Sequence, residues 1–246
     1  MDSITQATLG AAVGQAVLGK KMGNKALLLG AIAGTIPDLD VLSRLFIDHQ
    51  VYGLIYHRGF THSITFTILF APFFGWLTHR YYQKGLHHHQ ATQSLLAVFW
   101  AALYALLITA LVAGSYYTLS PVLMAITSIA GFGAYKLYLH LRRKITRPTV
   151  IEYDVSLLSF SAMYFLAFLT HWLIDACTAY GTQIFEPFSR YRVAFNNISI
   201  VDPLYTVPML IGLTVAFFTK KSSLKQWANY ILSLIHISEP TRPSQI

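Results

Sequence analysis

Two stretches of the sequence place imidazole groups where they could bind a metal ion. In YHRGFTHS, His57 and His62 are five residues apart and Arg58 lies between them. In THWLIDA, His171 and Asp175 are four residues apart, so they would share one face of a helix. Ionisable side chains in apolar segments are energetically costly and are usually functional. A His–Asp hydrogen bond that only satisfies two interfacial side chains is the structural alternative.

A third stretch, PDLD, adds the carboxylates of Asp38 and Asp40. Alone, they are equally consistent with a helix end whose acidic side chains are solvated. Together with the imidazoles they form the nitrogen and oxygen ligand set of borderline-hard divalent metals, and no cysteine suggests a thiolate zinc site. A bound metal would lower the pKa of a coordinated water toward about 7 and polarise a phosphoryl or carbonyl oxygen. Arg58 could bind a phosphate or carboxylate group, or extend toward lipid headgroups.

The elements that must position these residues are membrane helices. The chain has 246 residues, of which 54% are hydrophobic and 11% charged, whereas soluble domains carry about 25% charged residues. Shorter segments rich in alanine and glycine, 7–19 and 26–36, predict a close-packed helical hairpin. We predict an all-α, polytopic membrane bundle with this N-terminal hairpin and about five spanning helices. The segments that meet or approach a spanning length are 62–78, 94–113, 119–139, 157–175 and 203–219.

The formal net charge of +8 comes from basic residues in short loops beside the apolar segments. Such loops normally stay cytoplasmic, so we interpret the charge as topological and expect no nucleic acid partner. Threading the chain with every basic cluster on one side brings the polar candidates together near the opposite surface. The histidine tract at 87–89 falls on the basic side and is therefore excluded. The residues that converge are Gln6, Asp38, Asp40, His57, His62, His171, Asp175 and Asp202.

The chain is interpreted as a single integral membrane domain over residues 1–230. The stretch Leu232–Arg242 matches the translation of a sequencing adapter, so residues 231–246 are interpreted as a non-native tail. We expect no cleaved signal peptide, because the start of the chain lacks a basic region and a small-residue cleavage site. Cys177 is the single cysteine, so an intrachain disulfide cannot form.

Several motifs resemble the YdjM-like membrane-bound metal-dependent hydrolases of bacteria. They extend from residue 2 to about residue 206 and read MDSITQATLGAAVGQAVLGKK, GTIPDLDVL, YHRGFTHS, THWLIDACTAYGTQIFEPFS and ISIVDPLYT. The family is considered distantly similar to zinc-dependent phospholipase C and P1 nuclease, helical enzymes with a multi-zinc site, which implies phosphoester hydrolysis. Many relatives have a Thr-His pair near the start, whereas here Thr5 is followed by Gln6. An amide oxygen binds zinc less well than an imidazole, so either one metal is lost or Gln6 binds water or substrate. The resemblance implies a ligand set of Asp38, Asp40, His57, His62, His171 and Asp175.

The sequence therefore predicts a metal-dependent hydrolase embedded in the bacterial inner membrane. The expected substrate is a phosphoester of a lipid or lipid-linked molecule at the non-cytoplasmic interface, where membrane lipids are the partners. We expect about one to three divalent ions, with zinc as the preferred metal. The alternative is a non-enzymatic metal-binding protein, acting as a scaffold, regulator or transporter. The expected catalytic residues are Asp38, Arg58 and His62, and the additional candidates are Gln6, Glu186 and Asp202.

Overall fold

A computed structural model describes residues 1–45, 58–89, 152–200 and 203–218, together with scattered helical positions between 92 and 139. These residues contain helices and no β-strand, which confirms the all-α prediction. The α-helices are α1 (Ser3–Met22), α2 (Asn24–Thr35), α3 (Ile64–Gln83), α4 (Leu157–Ala176) and α5 (Pro203–Phe218). Short 3₁₀ helices lie at Pro37–Leu45, Phe60–His62 and Leu86–His88.

The chain divides into two compact units. One consists of Met1–His79 and Tyr153–Ile246, and the other of Arg80–Glu152. All the candidate site residues belong to the first unit, so the fold is considered below within that unit. The single-domain interpretation of residues 1–230 stays a prediction.

Close backbone contact holds α1 against α2. A Cβ atom added at Gly10 would lie 2.3 Å from the carbonyl oxygen of Gly30, and one added at Gly34 would lie 2.4 Å from that of Gln6. Because only glycine fits at such spacings, the two backbones approach directly, as small residues allow in membrane helices. Gly23 makes the turn between the helices at a φ of 57°, which is in the left-handed region. The predicted hairpin is confirmed.

Two buried polar pairs join α3 to α4 in an antiparallel arrangement. The indole N–H of Trp172 donates a hydrogen bond to Thr67 Oγ1 at 3.1 Å. Later in α3 and earlier in α4, the hydroxyl groups of Thr78 and Tyr164 are 2.9 Å apart. Aromatic packing fills the space between these pairs, since Phe168 is fully buried. The beginning of α3 therefore lies beside the end of α4.

One described helix, α4, is long and apolar enough to cross a membrane by length and composition, and Thr206–Val215 within α5 is a shorter apolar stretch. The predicted segment 62–78 corresponds to α3. The predicted segments 94–113 and 119–139 lie mostly outside the described residues. The number of five spanning helices thus stays a prediction.

The loop after α4 is attached to the segment that precedes α3. The backbone N–H of Gln183 donates to the carbonyl oxygen of Arg58 at 3.1 Å, and that of Ile64 donates to Ile184 at 3.0 Å. The same loop meets the start of the chain, where the N–H of Asp2 donates to Ile200 at 3.0 Å. The beginnings of α1 and α3 and the end of α4 are consequently held at one end of the first unit.

Candidate metal centre

Four side chains from three parts of the chain meet at the end of the first unit where α1 and α3 begin and α4 ends. Asp38 follows α2, His62 ends the 3₁₀ helix before α3, and His171 and Asp175 lie in the last two turns of α4. One ligand atom from each residue lies within 4.8 Å of the other three. The imidazoles are 0% exposed, while Asp175 is 1% and Asp38 is 16% exposed. The predicted convergence is confirmed for these residues, which could together bind a metal ion.

Five of the six distances between the four ligand atoms are close to those of a tetrahedral site. His62 Nε2 lies 3.0 Å from His171 Nε2, 3.3 Å from Asp175 Oδ2 and 3.5 Å from Asp38 Oδ1. His171 Nε2 lies 3.4 Å from the same oxygen of Asp38 and 3.5 Å from that of Asp175. Ligand atoms about 2.1 Å from a tetrahedral zinc ion are about 3.4 Å from one another. The distances therefore leave room for one small ion among the four ligand atoms. We call these four residues the metal cluster.

The backbone fixes the tautomer of His171. Its Nδ1 lies 2.7 Å from the carbonyl oxygen of Gly34, which can only accept a hydrogen bond. Nδ1 therefore carries a proton, which leaves Nε2 as the ring atom that can bind a metal ion. A hydrogen bond from the distant ring nitrogen to a carbonyl is the usual arrangement for histidine metal ligands.

A side-chain relay fixes the tautomer of His62. Its Nδ1 lies 3.0 Å from Thr61 Oγ1, and this hydroxyl donates to Asp40 Oδ2 at 3.4 Å. Because the carboxylate only accepts, the hydroxyl accepts in turn from Nδ1, and Nε2 again presents a lone pair. When both imidazoles are neutral, two lone pairs face two carboxylate oxygens, and a cation between them stabilises this arrangement.

Asp40 lies behind His62 instead of facing the centre of the metal cluster. Its Oδ2 is 3.6 Å from His62 Nδ1, on the far side of the ring from Nε2, and accepts a 2.9 Å hydrogen bond from the backbone N–H of Arg58. In this position the carboxylate orients the histidine ligand. Asp40 is not among the four described residues whose ligand atoms meet, and direct metal binding by Asp40 stays a prediction.

Arg58 is buried beside the cluster, with 4% of its surface exposed. Its Nη2 lies 3.3 Å from Asp175 Oδ1, and Nη1 donates to Thr178 Oγ1 at 2.8 Å. The amino group of Met1 contacts the same oxygen of Asp175. The φ of Arg58 is 58°, an uncommon value for a residue with a side chain. The fold thus holds a guanidinium group against the metal cluster through a strained backbone.

The electrostatics at Asp38 favour a bound cation. Burial alone raises the pKa of Asp38, but the adjacent side chains of His171 and His62 hold that pKa well below its usual range. The carboxyl group is therefore ionised. Its Oδ2 is buried without a hydrogen-bond partner among the described residues, and a buried charged oxygen is costly unless it is paired or coordinates a metal.

The remaining predicted residues lie around the cluster or outside the described part. Gln6 is 1% exposed, and its Nε2 donates to the carbonyl oxygen of His171 at 3.2 Å. Its Oε1 is buried without a partner in the described part of the chain. Glu186 is half-buried in the loop after α4, and no recorded contact within the described ranges links it to the four ligands. His57 and Asp202 lie outside the described residues.

Sequence reasoning missed the groups that orient the ligands. Thr61 could have been found, because a hydroxyl residue directly before a candidate histidine is a plausible hydrogen-bond partner. The carbonyl group of Gly34 has no side chain to indicate it. Thr178, which connects Arg58 to the backbone of Asp175, lies three residues after the Asp but carries no recognisable pattern.

Comparisons with known proteins agree on a membrane family. The family model described as YdjM inner membrane protein matches residues 1–239. The inner membrane protein YbcI of Escherichia coli (strain K12) is 33% identical over 84 residues, which cover 34% of this chain. The matched region covers 47% of the length of that relative. No solved structure matches the chain, and the similarity to zinc-dependent phospholipase C and P1 nuclease stays a prediction.

Proposed function

We propose that this chain, which belongs to the YdjM family of inner membrane proteins, is a multi-pass, metal-dependent hydrolase of phosphoesters. The observation that carries the proposal is the metal cluster, in which ligand atoms of Asp38, His62, His171 and Asp175 lie within 4.8 Å of one another. Two imidazole lone pairs and two carboxylates are directed at one point. A divalent ion satisfies all four groups at once, and zinc suits this nitrogen and oxygen set.

The residues around the cluster supply what phosphoester hydrolysis needs. A bound divalent ion would act as a Lewis acid toward water and a phosphoryl oxygen. Arg58 offers a planar guanidinium group that can exchange its contact with Asp175 for a phosphate group. Asp38 is the most exposed of the four ligands and has one oxygen without a partner among the described residues. That oxygen is suited to accept a proton from an attacking water.

A lipid or lipid-linked substrate is proposed because the cluster adjoins a loop that suits the membrane interface. Large aromatic side chains in this loop are strongly exposed, with Phe188 at 87%, Tyr191 at 69% and Phe195 at 65%. Aromatic residues concentrate at the level of the lipid headgroups. Helix α3 has 20 residues, about 30 Å at 1.5 Å per residue, which suffices to span a bilayer. We propose α3, α4, α5, 94–113 and 119–139 as the spanning segments.

The experiment that tests the proposal measures metal content and phosphate release on the same purified full-length protein. We expect hydrolysis of phosphorylated lipids in mixed vesicles that stops with a chelator and returns with zinc. Asp175→Asn should lower hydrolysis more than a hundredfold. Arg58→Lys should lower kcat/KM while the metal content is unchanged, because the lysine keeps the charge but loses the planar fork. Folded Asp175→Asn protein with full activity would contradict the proposal.

A second candidate function, a structural metal clip, is favoured by the number of ligands. Four protein ligands at tetrahedral spacing fill the shell of a zinc ion, as in structural sites, whereas catalytic sites keep one position open. Asp38→Asn separates the two functions. In the enzyme this variant keeps the metal and loses activity, because Asp38 is the ligand that gives way to water. In a clip, Asp38→Asn and His171→Ala lose the metal alike.

A further inference from the structure

An apolar groove of about 390 Å³ runs along α3 from the end that carries the metal cluster. One wall consists of successive turns of α3 and the other of the loop after α4. The α3 positions in the groove lie within the six residues 64–69, which corresponds to roughly 8 Å along the helix axis. The large apolar residues of the walls are Ile64, Ile68, Leu69, Ile184, Phe185 and Phe188.

The groove and the cluster share a segment of backbone. Ile64 comes two residues after His62, and its N–H donates to the carbonyl oxygen of Ile184 at 3.0 Å. Gln183, one residue earlier in the loop, donates to the carbonyl oxygen of Arg58 at 3.1 Å. These two hydrogen bonds attach the second wall of the groove to the segment that carries the guanidinium and imidazole groups. The groove therefore begins beside the segment that carries the guanidinium and imidazole groups.

The surroundings of the groove decide what covers it. The chain belongs to an inner membrane family, and the side chains of Ile68 and Leu69 are 57% and 59% exposed. In a bilayer such a surface is covered by hydrocarbon. A peptide segment in extended form would leave backbone polar groups unsatisfied between these apolar walls, whereas an alkyl chain has no such groups.

We propose that this groove binds an acyl chain of the lipid whose phosphate group lies at the metal cluster. The inference rests on the proposed function and narrows its substrate class to phosphoesters that carry a hydrocarbon tail. For a phosphoester dissolved in water, each methylene group that moves from water into the groove should strengthen binding about fourfold. The groove thus contributes selectivity for the tail, while the cluster and Arg58 bind the headgroup.

A series of alkyl 4-nitrophenyl phosphodiesters, from ethyl to octyl, tests the proposal below the micelle concentration of each compound. The bond that breaks and the coloured product are the same throughout, so only the tail changes. We expect kcat/KM to rise about fourfold per methylene until the groove is full. Leu69→Trp should fill the groove and flatten this dependence. Leu77→Trp is the matched control, because Leu77 is similarly exposed on α3 and does not line the groove.

The outcomes separate this inference from the proposed function. Cleavage with equal kcat/KM for all tails would overturn the groove assignment and leave the hydrolase intact. Should the series show no cleavage, photolabelling decides the assignment independently. A hexyl phosphate with a terminal diazirine should label peptides containing 64–69 or 184–188, and Leu69→Trp should reduce this labelling severalfold relative to Leu77→Trp. The inference would be overturned if the label were spread evenly over the exposed apolar residues of α3 in both Leu69→Trp and Leu77→Trp.

Discussion

Removal of His171 is the sharpest test of the metal cluster. The side chain supplies one of four ligand atoms, and its Nδ1 is bound to the backbone of Gly34 at 2.7 Å. Structural zinc sites with four ligands release about 10–16 kcal/mol on binding, so a single ligand is worth about 3 kcal/mol. We therefore expect His171→Ala to weaken zinc binding more than a hundredfold. His79→Ala is the control, because His79 lies on α3 outside the cluster.

The assay measures zinc in purified protein by mass spectrometry and then the Kd by competition with a chromophoric chelator. Wild type and His79→Ala should contain one zinc ion per protein chain, while His171→Ala should contain almost none after dialysis. A monodisperse peak in size-exclusion chromatography shows that each variant is folded. The reasoning is refuted if folded His171→Ala binds zinc with the Kd of the wild type, because the ion would then lie elsewhere.

Further predictions concern the ligand supports, the helix hairpin and pH. Thr61→Val and Asp40→Asn should each weaken zinc binding about 10–100-fold without abolishing it, since they only orient a ligand, and chelator competition measures both. Gly30→Ala should lower the free energy of unfolding by about 1–3 kcal/mol, because its Cβ would lie 2.1 Å from a carbonyl oxygen of α1. Gly131→Ala is the control and should not destabilise the protein, because no described atom lies within 4 Å of an added Cβ. Zinc affinity should be constant at alkaline pH and fall as the pH drops, because His62 must lose its proton to bind metal. Burial lowers the pKa of His62, but the carboxylates of Asp175 and Asp38 hold that pKa above its usual value, so the fall should begin above about pH 6.5. The lowered pKa of Asp38 keeps its carboxylate ionised throughout this range, so a titration of Kd that falls only near pH 4 would contradict the histidine ligands.

The convergence of the ligands followed from the prediction that the apolar segments are membrane helices that alternate in direction. Once the basic loops were assigned to one side, Asp38, His62, His171 and Asp175 had to lie near the other. The hairpin was predictable for a similar reason, since its glycine and alanine content indicates close backbone contact. These features depend on helix direction and on side-chain size, and both can be predicted from the sequence.

The roles of individual carboxylates were not predictable. Asp38 and Asp40 are two residues apart, and the sequence gives no reason to distinguish them. The 3₁₀ helix directs Asp38 to the Nε2 atoms of the cluster and Asp40 to the Nδ1 side of His62. The support from Gly34 was also beyond the sequence, because a backbone carbonyl has the same chemistry at every position and only the fold selects one.

The charge balance at the cluster explains why phosphate binding should depend on the metal. Asp38, Asp40 and Asp175 carry three negative charges, whereas the guanidinium of Arg58 and the protonated amino group of Met1 carry two positive charges. Without an ion this group is negative by one charge and repels a phosphate. A divalent ion makes the same group positive by one charge, so the guanidinium becomes available to an anion. Inorganic phosphate should therefore bind to zinc-loaded protein and fail to bind after chelation. Equal binding in both states would show that the cluster and the phosphate site are unconnected.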